Sequence, residues 1–379
     1  MEVYLGKVMV VFGTRPEAIK MAPVVKELQQ VADIQTVVAV TAQHREMLDQ
    51  VLDLFQIKPD YDLDLMRTKQ DLYAITTGVL SGLKDILEKE KPNLVLVHGD
   101  TTTTMAAALA TFYQQIPVGH VEAGLRTRNK YNPYPEEMNR TVTGRLAEMH
   151  FAPTDTAREN LLAESTAMFK IWVTGNTVID ALLQTIKPDY KFGPEYANID
   201  FNRRLILVTT HRRENWGEKM QSIYEALIQV VEEFPDVEVV FPVHRNPIVR
   251  DLAQEMLGGR ERFHLTDPME YEPWSNLMNV SHLIITDSGG LQEEAPSLGK
   301  PVLVLRDTTE RPEALQAGTV KLVGTTTKRI YEEARTLLAD DREYQKMARA
   351  INPYGDGHAA RRIVRIIIDF LYARIGVQV

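Results

Sequence analysis

The sequence contains no cysteine, and this absence excludes several kinds of chemistry. There can be no disulfide, no thiolate nucleophile and no cysteine-ligated zinc or iron–sulfur site. Apolar runs of the roughly 20 residues that a membrane-spanning helix needs are also missing. The N-terminal segment lacks the small-residue cleavage site of a signal peptide. We therefore expect a cytoplasmic protein that does not enter a membrane.

A block of basic residues is the next feature that the sequence lacks. Its 43 Lys and Arg are outnumbered by 52 Asp and Glu, which gives a net charge of −9. Proteins that bind nucleic acids usually carry a basic stripe, so nucleic-acid binding is not expected. An anionic ligand would have to be bound locally, by arginine, histidine and the N-termini of helices.

Short β-branched runs alternate with segments of helical period along the chain. This alternation predicts an α/β fold with two doubly wound, Rossmann-like domains that face a cleft. The predicted strands cover residues 8–12, 36–41, 94–98, 117–122 and 150–152 in the first half, and 205–209, 237–243, 263–265, 283–286, 301–305 and 320–322 in the second.

The pattern is interrupted by a connector at about residues 153–199 and by a Gly/Pro cluster at residues 352–357. We predict an N-terminal domain of residues 1–172 and a C-terminal domain of residues 173–357. A last amphipathic helix within residues 358–379 is expected to pack back on the N-terminal domain.

The first predicted strand is followed by a turn that suits an anion. Thr14 and Glu17 have the spacing of a capping box, and Pro16 suits the first turn of a helix. The unpaired N–H groups of such a turn, with Arg15 beside them, favour binding of a phosphate. The alternative is a well-capped helix with an exposed arginine.

A second turn of this kind follows the strand at residues 283–286. Ser288, Gly289 and Gly290 open a helix, and two glycines let a backbone approach a phosphate closely. Glu294, about one turn later, could accept hydrogen bonds from ribose hydroxyls, or it could simply be a surface glutamate. The motif is neither Gly-x-Gly-x-x-Gly nor a Walker loop, which argues against NAD binding and ATP hydrolysis.

Two His-Arg pairs also follow predicted strands of the second domain. The first is His211-Arg212 and the second is His244-Arg245. A single histidine is more often structural, but two beside a phosphate-type turn indicate anion binding and proton transfer.

Carboxylates follow the strands of the first domain. Asp100 and Glu122 close two strands, and Glu136 begins a helix in which Arg140 lies four residues later. The Glu136 and Arg140 spacing alone is typical of a surface ion pair. Carboxylates at two strand ends and one helix start indicate general acid and base catalysis. No metal-ligand spacing stands out, so no metal is expected.

Taken together, these segments resemble the non-hydrolysing UDP-N-acetylglucosamine 2-epimerases of bacteria. The matching stretches occur in family order over essentially the whole chain, at residues 12–20, 97–104, 119–126, 134–140, 174–181, 210–215, 242–244, 286–305, 306–313 and 352–357. The resemblance implies a glycosyltransferase-B-like fold, a homodimer and the interconversion of UDP-GlcNAc and UDP-ManNAc through loss and re-addition of UDP. No NAD or other cofactor is implied. The product would supply ManNAc for surface polysaccharides and teichoic-acid linkage.

The resemblance also implies roles for individual residues. The catalytic set would be Asp100, Glu122, Glu136, Arg140 and His211. The UDP-binding set would be Arg15, His211, Ser288, Gly289, Gly290 and Glu294. A second UDP-GlcNAc molecule, acting as an allosteric activator, would be bound by Gln43, Gln70, Glu136, Arg212 and His244.

Other functions would share parts of this pattern. A UDP-sugar glycosyltransferase, the main alternative, would have the same fold and diphosphate turn, but it needs an acceptor site and not several grouped carboxylates. A hydrolysing epimerase usually carries a fused kinase domain, for which 379 residues leave no room. A catalytically inactive UDP-sugar sensor would have no use for both Asp100 and Glu122.

Overall fold

The computed structural model describes residues 5–41, 45–65 and 71–375 of the chain. Contacts divide the chain into two compact units: the first runs to Leu183 and resumes at Tyr354, and the second spans Gln184–Pro353. These boundaries differ from residues 172 and 357, where the sequence pattern predicts them. The helix that begins at Thr177 still belongs to the first unit, and the buried Tyr354 accepts a 2.7 Å hydrogen bond from the Asn176 N–H there.

The strands are short, as the β-branched runs predict. They are β1 (Gly6–Phe12), β2 (Ile34–Val40), β3 (Tyr61–Asp62), β4 (Leu94–His98), β5 (Val118–Val121), β6 (Met149–Ala152), β7 (Ile171–Val173), β8 (Arg204–Thr209), β9 (Val237–Pro242), β10 (Phe263–Thr266), β11 (Leu283–Thr286), β12 (Val302–Val304) and β13 (Val320–Leu322).

Helices connect these strands. They are α1 (Arg15–Gln29), α2 (Arg45–Leu54), α3 (Leu72–Glu90), α4 (Thr102–Tyr113), α5 (Glu136–Leu146), α6 (Asp155–Ala163), α7 (Thr177–Thr185), α8 (Glu218–Glu233), α9 (Pro247–Leu257), α10 (Tyr271–Val280), α11 (Gly289–Glu294), α12 (Pro312–Ala317), α13 (Thr327–Ala339), α14 (Asp341–Ala348) and α15 (Ala359–Ile375).

The first unit is built on a parallel sheet in the order β3-β2-β1-β4-β5-β6-β7. The chain builds outward from β1 to β3 and then returns to β4 on the other side of β1. Met9, Val11, Val95 and Val97 of the two central strands are buried beneath α3 and α4. Such buried apolar strands are typical of a parallel sheet covered by helices.

The second unit repeats this plan with a parallel sheet in the order β10-β9-β8-β11-β12-β13. Here the strand order reverses between β8 and β11. Ile206, Val208 and Ile285 of these strands lie in a core that α8 and α13 cover. The predicted α/β class with two parallel sheets is therefore confirmed.

Several elements were not predicted from the sequence. The two-residue strand β3 has no run of apolar residues, and its backbone pairs only with the end of β2. Strand β7 and the helices α6 and α7 lie in the stretch that the sequence pattern indicates as a connector. The helix predicted after Gly290 ends at Glu294 and continues as a 3₁₀ turn, Ala295–Leu298, where Pro296 lacks a backbone donor.

The last helix belongs to the first unit, where α15 packs against α1. Asp180 of α7 accepts hydrogen bonds from the N–H groups of Ala359 (3.2 Å) and Ala360 (2.8 Å). This carboxylate satisfies two donors that the start of a helix leaves without partners. Across the part of the chain that the structure describes, no helix is long and apolar enough to cross a membrane.

Candidate active site

The strand order of each sheet marks where a ligand is expected. In open parallel sheets, ligands bind beyond the carboxyl ends of the strands at the point where the strand order reverses. In the first unit this point lies between β1 and β4, and in the second unit between β8 and β11. The loops at these two points carry Arg15 and Asp100 in the first unit, and His211 and Ser288 in the second. Each unit therefore presents one half of the predicted residue set.

The turn after β1 has the capping geometry that the sequence predicts. The Thr14 hydroxyl accepts from the Glu17 N–H, and the Glu17 carboxylate accepts from the Thr14 N–H at 2.7 Å. Arg15 is the first residue of α1 and is partly exposed. A cation at a helix start gains nothing from the helix dipole, so its place there favours a role in binding an anion.

Asp100 follows β4 at a turn that requires the left-handed conformation of Gly99, with φ of 69°. Its Oδ2 lies 2.5 Å from Nη2 of Arg140. Burial raises the pKa of the Asp100 carboxyl, and the Arg140 guanidinium opposes this effect. The nearby Glu122 carboxylate raises this pKa further.

Glu122 lies directly after β5, in the left-handed region with φ of 61°. Its carboxylate accepts a hydrogen bond from the Lys20 ammonium, and His98 Nε2 lies 3.6 Å from the same oxygen. Burial alone would raise the pKa of Glu122, but Lys20 and His98 outweigh burial and hold that pKa well below its usual value. Two carboxyl groups at neighbouring strand ends are thus shifted in opposite directions, as in many acid–base sites.

Helix α5 presents its charges differently from the prediction. The sequence spacing pairs Arg140 with Glu136, but the structure pairs Arg140 with Asp100 and, at 3.5 Å, with Glu137. The reason is that Glu137 turns inward, where it accepts from the N–H groups of Thr127 and Arg128. Glu136, the first residue of α5, is left partly exposed.

In the second unit the buried Asp287 organises the loop after β8. Its Oδ2 accepts from the N–H groups of His211 and Arg212, each at 2.9 Å, and its Oδ1 lies 2.9 Å from His211 Nδ1. Burial would raise the pKa of Asp287, but these contacts with His211 and Arg212 lower it. A carboxylate on Nδ1 leaves Nε2 of His211 to face a ligand.

The turn at Ser288 has room for a ligand close to its backbone. Ser288 precedes α11, and its hydroxyl does not cap that helix. Gly289 and Gly290 have no positive φ, and a Cβ on Gly290 would come no closer than 3.5 Å to another side chain, that of Glu294. The fold itself therefore does not require glycine here, which favours close approach by a ligand. Glu294 ends α11, and its Oε1 lies 3.5 Å from where a Cβ on Gly290 would be.

The residues expected to bind an activator are only partly described. Gln43 and Gln70 lie outside the described residues. In the second unit the ring of His244 stacks on that of His211, with centroids 5.9 Å apart. Arg212 Nε donates to the Asp287 carbonyl at 2.9 Å, and its Nη2 lies 3.9 Å from where a Cβ on Gly289 would be. Arg212 and His244 therefore lie beside the predicted diphosphate turn.

Three residues of these sites received no role from the sequence. Lys20 lies in the first turns of α1, His98 ends β4, and Asp287 directly follows β11. The positions of His98 and Asp287 at the carboxyl ends of strands could have indicated from the sequence that both belong to a site. Lys20 lies inside a helix, and only the packing of α1 against the sheet brings it to Glu122. Among the described residues, no group of three or more His, Asp or Glu could hold a metal ion.

Comparison with known proteins identifies the family of this chain. The model of the UDP-N-acetylglucosamine 2-epimerase family matches residues 26–368. The UDP-N-acetylglucosamine 2-epimerase of Bacillus subtilis is 57% identical over 362 residues, which cover 96% of this chain and 95% of that protein.

Solved structures agree with the family match. A putative UDP-N-acetylglucosamine 2-epimerase from Listeria monocytogenes is 54% identical, with a TM-score of 0.92 over 97% of both chains. The UDP-GlcNAc 2-epimerase of Neisseria meningitidis bound to UDP-GlcNAc is 53% identical, with a TM-score of 0.84 over 96% of this chain and 100% of that one. A glycosyltransferase of kitacinnamycin, 13% identical with a TM-score of 0.59, covers 95% and 98% of the two chains and shares the fold alone.

Proposed function

The chain belongs to the UDP-N-acetylglucosamine 2-epimerase family and is an epimerase, and we propose that it inverts C2 of UDP-GlcNAc by eliminating and re-adding UDP. The product is UDP-ManNAc, which would supply ManNAc for surface polysaccharides and teichoic-acid linkage. The observation that carries this mechanism is the pair Asp100 and Glu122, two carboxyl groups of opposite pKa shift at neighbouring strand ends.

The reaction requires a proton acceptor at C2 and groups that stabilise the UDP leaving from C1. The C2 proton is not activated by a carbonyl, so its removal must accompany departure of the leaving group at C1. A carboxylate accepts the C2 proton, the C2–H electrons form the C1–C2 double bond, and the C1–O electrons leave with UDP. The neutral intermediate is 2-acetamidoglucal. Protonation of the opposite face of C2 and attack of the UDP oxygen on C1 then complete the inversion.

The first unit supports the proton transfers. Asp100, whose pKa is raised, is the better proton acceptor of the two carboxylates, and Arg140 orients it. Glu122 stays ionised beside Lys20, and His98 lies within reach of the same carboxylate. We infer that the cluster of Glu122, Lys20 and His98 delivers the proton to the other face of C2, with the Lys20 ammonium as the proton source because the ionised Glu122 carries no proton. Glu136, partly exposed at the start of α5, is proposed as a third acid–base group.

The second unit supports binding and departure of UDP. Negative charge develops on the diphosphate as the C1–O bond breaks, and groups placed in advance to stabilise it lower the barrier. We propose that His211 and the Ser288–Gly290 turn bind the diphosphate and that Glu294 binds the ribose. We also propose Arg15, on the turn after β1, as a cation that binds UDP. UDP must remain bound while the glucal waits, so water has to be excluded during this interval.

The residues beside the diphosphate turn also support an activator site. We propose that a second UDP-GlcNAc is bound with the help of Arg212 and His244, which lie next to His211, and of Glu136, Gln43 and Gln70. The test is the reverse reaction. UDP-ManNAc alone should turn over slowly at first, because no activator is present, and a trace of UDP-GlcNAc should remove this initial lag. Reverse turnover at full rate from the first second would contradict this site.

The homodimer is proposed on the family resemblance and on exposed aromatic residues. Phe112 and Tyr113 end α4 and are 54% and 67% exposed. Two large aromatic side chains exposed side by side favour contact with another surface. Light scattering of the purified chain should give twice the mass of one chain, and Phe112→Glu should lower the measured mass. A measured mass equal to that of one chain for the unsubstituted protein would rule the dimer out.

One experiment tests the central proposal. The chain is incubated with UDP-GlcNAc in deuterated water, and the sugar is followed by NMR. We expect a mixture of UDP-GlcNAc and UDP-ManNAc with deuterium at C2 of both. Inversion with complete retention of the original hydrogen would exclude proton exchange, and a requirement for added NAD would exclude the elimination route. The glycosyltransferase alternative is not favoured, because the curated relative at 57% identity is an epimerase.

A further inference from the structure

Glu17 is a buried carboxylate to which the proposed reaction gives no role. Its side chain belongs to the first turn of α1, and the residue is only 2% exposed. Acidic side chains are rarely buried unless hydrogen bonds satisfy their oxygens. The donors that satisfy Glu17 therefore show what this carboxylate does.

Four donors from two separate turns meet on Glu17. Its Oε2 accepts from the N–H groups of Gly13 (3.0 Å) and Thr14 (2.7 Å), and its Oε1 accepts from the hydroxyls of Thr101 (2.7 Å) and Thr104 (2.9 Å). The capping of α1 explains the first pair of bonds. Capping does not require the second pair, which reaches residues more than 80 positions away in sequence.

The second pair of bonds links the two turns at the point where the strand order reverses. The turn Gly13-Thr14-Arg15 follows β1, and the turn Gly99-Asp100-Thr101 follows its neighbour β4. On its other side, the Asp100 carbonyl accepts a 2.9 Å hydrogen bond from the Asn139 side chain. The Asp100 turn is therefore held between α5 and Glu17.

We propose that Glu17 is a positioning residue that holds the Arg15 turn and the Asp100 turn at a fixed separation. This inference rests on the proposed function, because it matters only if Arg15 and Asp100 act on the same substrate. A charged contact to the leaving group and a proton acceptor must both be aligned for elimination, and misplacement of a catalytic group by about 1 Å can cost roughly 10²-fold in rate. What Glu17 contributes is the length of its side chain and not its charge.

A matched pair of substitutions separates length from charge. Glu17→Asp keeps the charge and can still accept from the N–H groups of its own turn, but it is one methylene too short to reach Thr101 and Thr104. Glu17→Gln keeps the length. Its oxygen can face the two N–H groups while its amide donates to Thr101, whose hydroxyl then turns to Thr104 at 3.0 Å, and Thr104 donates to the His98 carbonyl at 2.5 Å.

The measurements are kcat and KM for UDP-GlcNAc epimerisation, with the thermal midpoint of each variant. We expect Glu17→Asp to lose roughly 10- to 100-fold in kcat with a smaller change in KM, and Glu17→Gln to stay within about threefold of the parent. A residue that only capped α1 would leave both variants active. A residue acting through its charge would make Glu17→Gln the weaker enzyme. Either outcome would overturn the proposal.

The same link can be broken from its other end. Thr104→Val removes the hydroxyl that contacts Glu17 and preserves the shape of the side chain, whereas Thr104→Ser keeps the hydroxyl. We expect the valine variant alone to lose kcat, and equal rates for both variants would contradict the link even if Glu17→Asp failed to fold. A parent chain that takes up no deuterium at C2 would defeat the proposed function itself. Normal exchange by the parent with a fully active Glu17→Asp would defeat only this inference.

Discussion

The Lys20 ammonium donates a hydrogen bond to the Glu122 carboxylate across 102 positions of sequence. This pair lies at the carboxyl end of β5, where His98 also approaches the same carboxylate oxygen. It sets the charge of one of the two proposed acid–base groups, so it provides the first test of the site.

Replacing Lys20 by methionine should raise the pKa of Glu122, because a cation that favours the ionised carboxylate is removed and the opposing effect of burial remains. If turnover needs ionised Glu122, the acid side of the kcat/KM pH profile moves to higher pH. Lys20→Arg, which keeps the cation, should leave the profile near that of the parent. A methionine variant with the parent profile would show that the ionisation of Glu122 does not limit turnover.

Arg140→Met should shift the same acid limb through Asp100. Burial raises the pKa of Asp100 and the Arg140 guanidinium lowers it, so loss of the guanidinium raises this pKa further. At a given acidic pH, less Asp100 is then ionised and able to accept a proton. The kcat/KM profile should lose activity at a higher pH than in the parent, with Arg140→Lys intermediate. A shift towards lower pH would contradict the role of Asp100 as the acceptor.

Asp287→Asn should lower kcat by roughly 10²-fold, because an amide facing His211 Nδ1 favours the wrong tautomer of the imidazole. The contact concerned is the 2.9 Å approach of Asp287 Oδ1 to that nitrogen. The matched measurement is a double mutant with His211→Gln. If Asp287 acts through His211, the second change adds little to the first. Fully additive losses would show that the two residues act independently.

Arg15→Ala and Glu294→Ala should each weaken UDP binding by roughly 1–3 kcal/mol, which is the usual contribution of a charged hydrogen-bonding group. Calorimetric titration with UDP measures this change directly. Arg250→Ala removes an exposed arginine from the start of α9 and serves as the control. Unchanged UDP affinity in both site variants would place the nucleotide elsewhere.

Buried histidines should make the fold sensitive to acid. Burial lowers the pKa of His120 to about 3 and that of His150 to about 4. An unfolded histidine takes up a proton near pH 6.5, so below that pH the unfolded state binds more protons and is favoured. Stability should fall as pH drops from 6.5 towards these lower values, by about 2 kcal/mol per histidine at pH 5.

Urea unfolding at pH 7 and pH 5 measures this loss. His120→Gln is the informative variant, because its amide can still donate to the Gly99 carbonyl that His120 Nε2 contacts at 2.7 Å but cannot titrate. It should lose less stability between the two pH values than the parent. An equal loss would mean that other groups cause the acid sensitivity.

Local patterns in the sequence were enough to predict much of the fold. The β-branched runs of β1, β4, β8 and β11 are buried on both faces, and such runs are distinctive in a parallel sheet. The Thr14 and Glu17 capping box forms because its partners are only three residues apart. By contrast, β3 pairs over only two residues and has no apolar run, and β7 lies in the stretch that the sequence pattern indicates as a connector, so neither strand was predicted.

The types of residue in the site, and their places at strand ends, followed from the linear order of the chain, because a parallel sheet brings its strand ends to one edge. Which charge meets which partner did not follow. Arg140 pairs with Asp100 and Glu137 rather than with Glu136, and Lys20 reaches Glu122, because the packing of α5 and α1 against the sheet orients these side chains. A pKa depends on burial and on charges within a few ångströms. Contacts between residues far apart in the chain therefore give these two carboxyl groups their opposite character.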